Sequence, residues 1–226
     1  MRELKAVIFD LDDTLFPERD YVYSGFRIVS DFLSSIINIE SSRIFNKCKE
    51  IFMAGRTCVF NRLLEYYGIN DSETLKTCIE LYQNHIPDIK LSDDAAYILN
   101  WLKNSGYKLG IITDGRPEGQ RNKIEALGIG NIFDLIIITD ELGGIEYRKP
   151  NEKAFVKMLK FFNIKACEAV YIGDNITKDF VAPNKLGMKS VLYKHSNGLY
   201  PNTGFNPEYS SSYVIESLTD LKELLE

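Results

Sequence analysis

The chain has 226 residues, enough for one large domain or for a core carrying a smaller inserted one. Its 45% hydrophobic and 26% charged content provides for a packed core and excludes wholesale disorder. A net charge of −5 and a pI near 5.3 count against a general nucleic-acid binder or an anionic-membrane binder, since both are ordinarily basic. Met1 leads almost directly into an apolar run, which leaves no room for a targeting segment, and no run approaches the length of a membrane span. Cys48, Cys58, Cys78 and Cys167 form no C-x-x-C pair and read as reduced, mostly buried thiols of a cytoplasmic protein.

The first element expected is a strand over residues 6–9, Ala-Val-Ile-Phe, apolar throughout as in a strand buried on both faces. It ends abruptly in Asp10-Leu11-Asp12-Asp13-Thr14. Phe16-Pro17-Glu18-Arg19 is a turn, because Pro17 stops any continuing strand. From about 21 to 85 the apolar period is helical. Val22, Phe26, Val29, Phe32, Leu33 and Ile36 mark a first helix, and Ser41-Ser42 caps a second with Ile44, Cys48, Ile51 and Phe52. Val59, Leu63, Leu64 and Tyr67 mark a third closed by Gly68, and Ser72-Glu73 opens a fourth with Leu75, Cys78, Ile79 and Tyr82. This reads as a small helical bundle inserted after the first strand.

Residues 86–91 form an extended return linker, after which helix and strand alternate. Ser92-Asp93-Asp94 caps a helix that ends at Gly106. Strands are expected over 107–113, 135–138, 169–172 and 190–193, with helices over 117–127, 150–162 and 177–186. Residues 195–212, with Tyr200, Phe205 and Tyr209, form a long ordered loop. A short edge strand over 213–215 precedes a last helix capped by Ser217. Repeated strand–helix units of this length predict an α/β fold, a doubly wound parallel sheet with right-handed crossovers. The division expected is a core of 1–16 and 88–226 and a helical insertion of 17–87.

The residues at the exits of the apolar strands carry the chemistry. The first strand ends in Asp10, Asp12 and Asp13, the second in Thr113-Asp114-Gly115, and the fourth in Gly173-Asp174-Asn175 with Asp179 five residues on. Arg148-Lys149-Pro150 precedes the helix after the third. In a parallel sheet these points share one edge, where open α/β sheets keep their ligands. Each has an ordinary explanation. Asp12, Asp13 or Asp174-Asn175 caps a helix, Asp114-Gly115 is a turn pair, and Pro150 opens a helix. Together they would have to put carboxylates, a hydroxyl and a lysine at successive sheet ends by accident. Clustered acids repel one another unless a cation joins them, and a divalent metal is the simplest candidate.

With these residues in order, the sequence resembles the haloacid dehalogenase superfamily, specifically its phosphatases with a helical cap inserted after the first motif. Asp10-Leu11-Asp12-Asp13-Thr14 stands as its D-x-D-x-T, Thr113 as its second-motif hydroxyl, Lys149 as its lysine, and Gly173-Asp174 through Asp179 as its fourth motif. The resemblance covers essentially the whole chain and implies a Rossmann-like core with an α-helical cap. It also implies an Mg²⁺-dependent phosphomonoester hydrolase acting through an aspartyl-phosphate. Asp10 would be the nucleophile. Asp12 would be the general acid and then the base. Asp10, the Asp12 backbone carbonyl and Asp174 would hold the metal. Thr113, with the backbone N–H groups of Asp114 and Gly115, would clamp phosphate together with Lys149, which neutralises charge. Thr14 would fix the loop geometry, and Asp13 would serve structure. Asp179 would support the metal or bind through water, its ordinary alternative being a solvent-facing helix acid.

The substrate implied is a small phosphorylated metabolite (a sugar, polyol or nucleotide phosphate), with no nucleic-acid polymer or membrane as partner and a monomer or homodimer as the working form. Arg116 and Arg56 are the leading candidates for substrate specificity, ahead of Arg19, Tyr21, Tyr23, Arg27, Asn61, Arg62 and Arg148. A phosphomutase would use the same aspartyl-phosphate. A haloacid dehalogenase needs neither Asp12 nor Asp174. A non-catalytic binding protein on the same fold has no use for the full set.

Overall fold

The computed structural model describes residues 4–194, 198 and 209–225. The chain divides into two compact units, one of Met1–Glu18 with Lys90–Glu226 and one of Arg19–Ile89.

The first unit is built on a six-stranded sheet of β1 (Ala6–Phe9), β2 (Lys108–Thr113), β3 (Leu135–Ile138), β4 (Ala169–Gly173), β5 (Lys189–Tyr193) and β6 (Tyr213–Ile215). The order is β3-β2-β1-β4-β5-β6, and every neighbouring pair is parallel. β1 is wholly buried, as its unbroken apolar run requires. Phe9 is level with Ile111 on one side and Ile172 on the other, and the Asp10 N–H donates to the Ile172 carbonyl at 2.8 Å. This register puts the exits of β1, β2 and β4 side by side, and the connections run opposite ways from β1. That is the switch point where doubly wound sheets bind ligands.

On this unit lie α5 (Asp93–Asn104), α6 (Pro117–Ala126), α7 (Lys153–Phe162), α8 (Val181–Leu186) and α9 (Leu221–Leu225). The second unit holds α1 (Glu18–Ile37), which begins at the junction, then α2 (Ser41–Ala54), α3 (Val59–Tyr66) and α4 (Ser72–Asn84). Ala6, Ile8, Ile112, Phe155, Met158 and Tyr171 share the core beneath α7. Gly110 is there for contact, since a Cβ on it would stand 2.6 Å from Met158 Sδ. The Asp94 carboxylate fastens the C-terminal segment to α5. It accepts from the Tyr193 hydroxyl at 3.2 Å and the Leu218 N–H at 3.0 Å. In the second unit Phe26 packs edge-on against Phe52 and Phe60, with centroids 5.7 and 5.9 Å apart. Among the described residues no helix is long and apolar enough to cross a membrane.

Several expected boundaries move. α8 begins at Val181 rather than 177, after a turn in which Asn175 Oδ1 accepts the Thr177 N–H and Asp179 Oδ2 the Asn175 N–H. α7 begins at Lys153, whose N–H goes to Asn151 Oδ1, so Pro150 lies outside the helix. Glu40 rather than Ser41 holds the cap position of α2, and the Ser41 hydroxyl donates to Asp31. α4 opens at Ser72 as expected, with Asp71 as its cap. Ser217 does cap its segment, but the first turn, Leu218–Asp220, is a 3₁₀ turn. Only Cys48 and Cys78 are buried, while Cys58 is exposed and Cys167 half-buried. Most of the loop expected over 195–212, Tyr200 and Phe205 included, lies outside the described residues.

Candidate active site

A cavity of about 360 Å³ opens at the β1, β2 and β4 exits, lined by Asp10, Asp12, Glu18, Asp114, Arg148, Lys149, Asp174, Asn175 and Lys178. At its floor the Lys149 ammonium, fully buried, lies 2.8 Å from Asp10 Oδ2 and 2.8 Å from Asp179 Oδ1, and donates to the Tyr171 hydroxyl at 2.9 Å. Asp10 Oδ1 accepts the Leu11 N–H at 2.8 Å, which fixes the carboxylate plane. Burial pushes the Asp10 carboxyl up to about 6, with Lys149 pulling the other way. Burial also works against the Lys149 ammonium, but Asp10 and Asp179 outweigh it and hold its pKa above the ordinary lysine value. That mutual dependence keeps one anion and one cation facing the cavity.

Asp174, Asp10 and Asp179 bring carboxylate oxygens within 4.8 Å of one another, all buried. Burial first, then Asp179 and Asp10, push the Asp174 carboxyl up to about 9. Asp10 and Asp174, the latter too crowded to ionise alone, offer hard anionic oxygens suited to a small divalent cation, and these residues fit Mg²⁺, with Asp179 held to Lys149 beside them. Asp179 is fully buried and paired with Lys149, so the solvent-facing alternative is corrected. In the turn that holds it, the Asp179 N–H donates to the Asn175 carbonyl at 3.0 Å and its Oδ2 accepts the Asn175 N–H at 2.9 Å. Gly173 clears its place, as a Cβ there would stand 2.5 Å from Asp179 Oδ2.

Asp12 lies apart from this cluster. Its Oδ1 takes the Lys123 ammonium at 2.7 Å, and its Oδ2 takes Gln120 Nε2 at 2.9 Å. The same Gln120 nitrogen donates to Thr113 Oγ1 at 2.5 Å. Asp13, at φ 51°, accepts the Glu18 N–H at 2.8 Å and so starts α1. Thr14 is buried, but its hydroxyl has no hydrogen-bond partner among the described residues. The loop is held instead by backbone bonds to the Leu11 carbonyl. The Asp114 carboxylate accepts from Thr139 Oγ1, the Lys149 N–H and the Lys178 ammonium, at 2.9, 3.0 and 3.1 Å. Burial works to raise its pKa, but Lys149 and Lys178 hold it below the usual value.

Of the specificity candidates, Arg148 lines the cavity but forks onto Asp140, with both contacts at 2.7 Å. Arg116 is exposed just ahead of α6. Arg62 is spent on the Gly55 and Thr57 carbonyls, and Arg56 lies over the Phe52 ring at 5.8 Å, beside a cavity of about 260 Å³ in the helical unit. Tyr21 is buried against Tyr82. Sequence reasoning misses Gln120, Lys123, Tyr171, Lys178 and Glu18. Lys178 has a signal, a cation inside the fourth motif. Glu18 stands in an expected turn, yet burial, then Asp12, push its carboxyl up to about 7.

Fold and site together define a class. The chain belongs to the haloacid dehalogenase-like hydrolases, whose family model matches residues 7–193. It is an enzyme of that family. It is 30% identical to a glyceraldehyde 3-phosphate phosphatase of Pyrococcus furiosus, over all of this chain and 95% of that one. It is 32% identical to the protein of the same name from Methanocaldococcus jannaschii, over 98% and 97%. The fold also matches a solved structure of an HAD phosphatase from Thermococcus onnurineus, with a TM-score of 0.64, 24% identity and 98% of each chain covered.

Proposed function

We propose that this protein is an Mg²⁺-dependent phosphomonoester hydrolase that acts on a small phosphorylated metabolite through an aspartyl-phosphate on Asp10. The observation that carries it is the buried Asp10–Lys149–Asp179 chain beside Asp174, opening into one cavity with Asp12. When bound, Mg²⁺ would be held by Asp10, Asp174 and the Asp12 carbonyl, and would offset the repulsion between anionic nucleophile and anionic ester. A carboxylate oxygen of Asp10 attacks phosphorus, while its Leu11 and Lys149 contacts keep its orientation. Thr113, the backbone N–H groups of Asp114 and Gly115, and Lys149 hold the phosphoryl oxygens. Asp12 gives a proton to the leaving oxygen and then takes one from the water that frees Asp10. Asp179 serves as the anchor of Lys149.

The relatives' names make a triose phosphate the first substrate to try, with other sugar, polyol and nucleotide phosphates after it. Segment 17–87 is assigned as the cap, with Arg116 and Arg56 as specificity residues. A cytoplasmic monomer or homodimer is the proposed working form. Phosphate release from glyceraldehyde 3-phosphate and a wider metabolite panel, with Mg²⁺, tests the reading. Turnover of at least one member is expected, and no release from any member or from an activated aryl phosphate would refute it.

A further inference from the structure

We infer that Gln120 and Lys123 are positioning residues for the proton donor Asp12, an inference that rests on the proposed acid role of Asp12. The buried residues of α6 are these two, both polar and three positions apart on one face. They deliver a separate donor to each Asp12 oxygen, the ammonium at 2.7 Å and the amide at 2.9 Å. The amide nitrogen also reaches Thr113 Oγ1 at 2.5 Å, so one side chain ties the acid to the phosphate-binding hydroxyl. Gly115, at φ +141°, leaves room for this bridge, since a Cβ there would stand 3.2 Å from Gln120 Cγ and Cδ.

An ammonium and an amide buried under a helix contribute little to stability compared with apolar residues of the same size. Their effect is geometric. Two donors fix the plane and the depth of the Asp12 carboxyl at the cavity wall. In the step they serve, an Asp10 oxygen bonds to phosphorus while the bond from phosphorus to the leaving oxygen breaks. The Asp12 proton passes to that oxygen, which departs as an alcohol. A poor leaving group needs the proton, whereas a nitrophenolate leaves without it. Misplacing the donor therefore costs activity in proportion to leaving-group basicity.

The test is log(kcat/KM) against leaving-group pKa for a series of aryl and alkyl phosphates, on the full chain with Mg²⁺. This ratio reports the steps up to the first departure, so later hydrolysis of the intermediate does not blur it. Lys123→Met and Gln120→Leu are expected to steepen the slope. The loss should reach about a hundredfold for the alkyl phosphates and about threefold for 4-nitrophenyl phosphate, the size expected of an ångström's misplacement. Lys123→Arg is expected to restore part of the loss. A variant that folds poorly lowers every substrate equally and leaves the slope unchanged, so misfolding cannot imitate the result. Asp12→Asn is the reference. If it steepens the slope while Lys123→Met and Gln120→Leu keep the parental slope, the positioning role is refuted and the acid role stands. If Asp12→Asn itself leaves the slope unchanged, the acid role fails and takes this inference with it.

Discussion

Replacing Lys149 by methionine is the sharpest perturbation the site offers. Methionine keeps the stem's bulk and removes only the ammonium, which sits 2.8 Å from Asp10, 2.8 Å from Asp179 and 2.9 Å from the Tyr171 hydroxyl. Asp10, Asp179 and Tyr171 are all buried, so the groups it leaves behind are poorly solvated. Removing one partner of a buried pair costs about 3–5 kcal/mol, a large share of the roughly 5–15 kcal/mol that holds a typical domain folded. With a urea slope of about 2 kcal/mol/M, the midpoint of the metal-free variant should fall by about 2 M at pH 8, slope unchanged. The pH dependence has a definite sign. Asp10 in the parent fold sits at about 6, above its ordinary 3.8. Below that value it is protonated in the parent as well, and losing the ammonium costs less. Above it, the parent holds an ionised Asp10 against Lys149 and the variant cannot. Lys149 itself, raised above the ordinary lysine value, does not titrate in this range. The deficit should therefore open as pH rises through about 6. A deficit under about 1 kcal/mol at pH 8, or one equally large at pH 5, would refute the reasoning.

Two glycines separate packing from site. Gly173→Ala sets a Cβ 2.5 Å from an Asp179 oxygen already tied to the Asn175 N–H. Gly110→Ala meets the far end of Met158 at 2.6 Å, which can turn aside, and the Phe162 ring edge at 3.4 Å, an ordinary contact. Both should lose about 1–3 kcal/mol by thermal unfolding, but only Gly173→Ala should lower kcat by about tenfold or more. Mg²⁺ removal is the other lever. Asp174, pushed up to about 9, and Asp10, at about 6, favour the folded metal-free protein when protonated, so its stability should fall as pH climbs from about 4 to 9. Mg²⁺ binds only the ionised carboxylates. Its stabilising shift in Tm should therefore grow over the same range, with proton release visible by calorimetry in two buffers. A shift independent of pH would contradict the assignment of those ligands.

The sheet is legible in the sequence because its strands are short, mostly apolar runs, and β1, β2 and β4 lead directly into an acid. β1 and β3 need no context to be recognised, and the order of Asp10, Thr113, Lys149 and Asp174 comes from parallel strands exiting at one edge. The partners that hold those residues are not legible. α6 carries almost no apolar residue, so a search for an apolar stripe finds no inward face, and its inward face is Gln120 and Lys123. Asp179 is hidden differently. Its inward place depends on the turn after β4, in which the Asn175 N–H donates to the Asp179 carboxylate and the Asp179 N–H to the Asn175 carbonyl, and no apolar periodicity marks that turn. Contacts made across more than a hundred residues, such as Lys123 to Asp12, leave no local periodicity to read.

The central claim is that Asp10 becomes phosphorylated. It is tested most directly by quenching the Mg²⁺-loaded enzyme with acid during turnover and locating the phosphoryl group by peptide mass spectrometry. A phosphoryl group on Asp10, stable in acid and released by hydroxylamine, is the result expected, and Asp10→Asn should carry none. Turnover that yields no phosphorylated enzyme at any quench time, or a phosphoryl group on another residue, would contradict it.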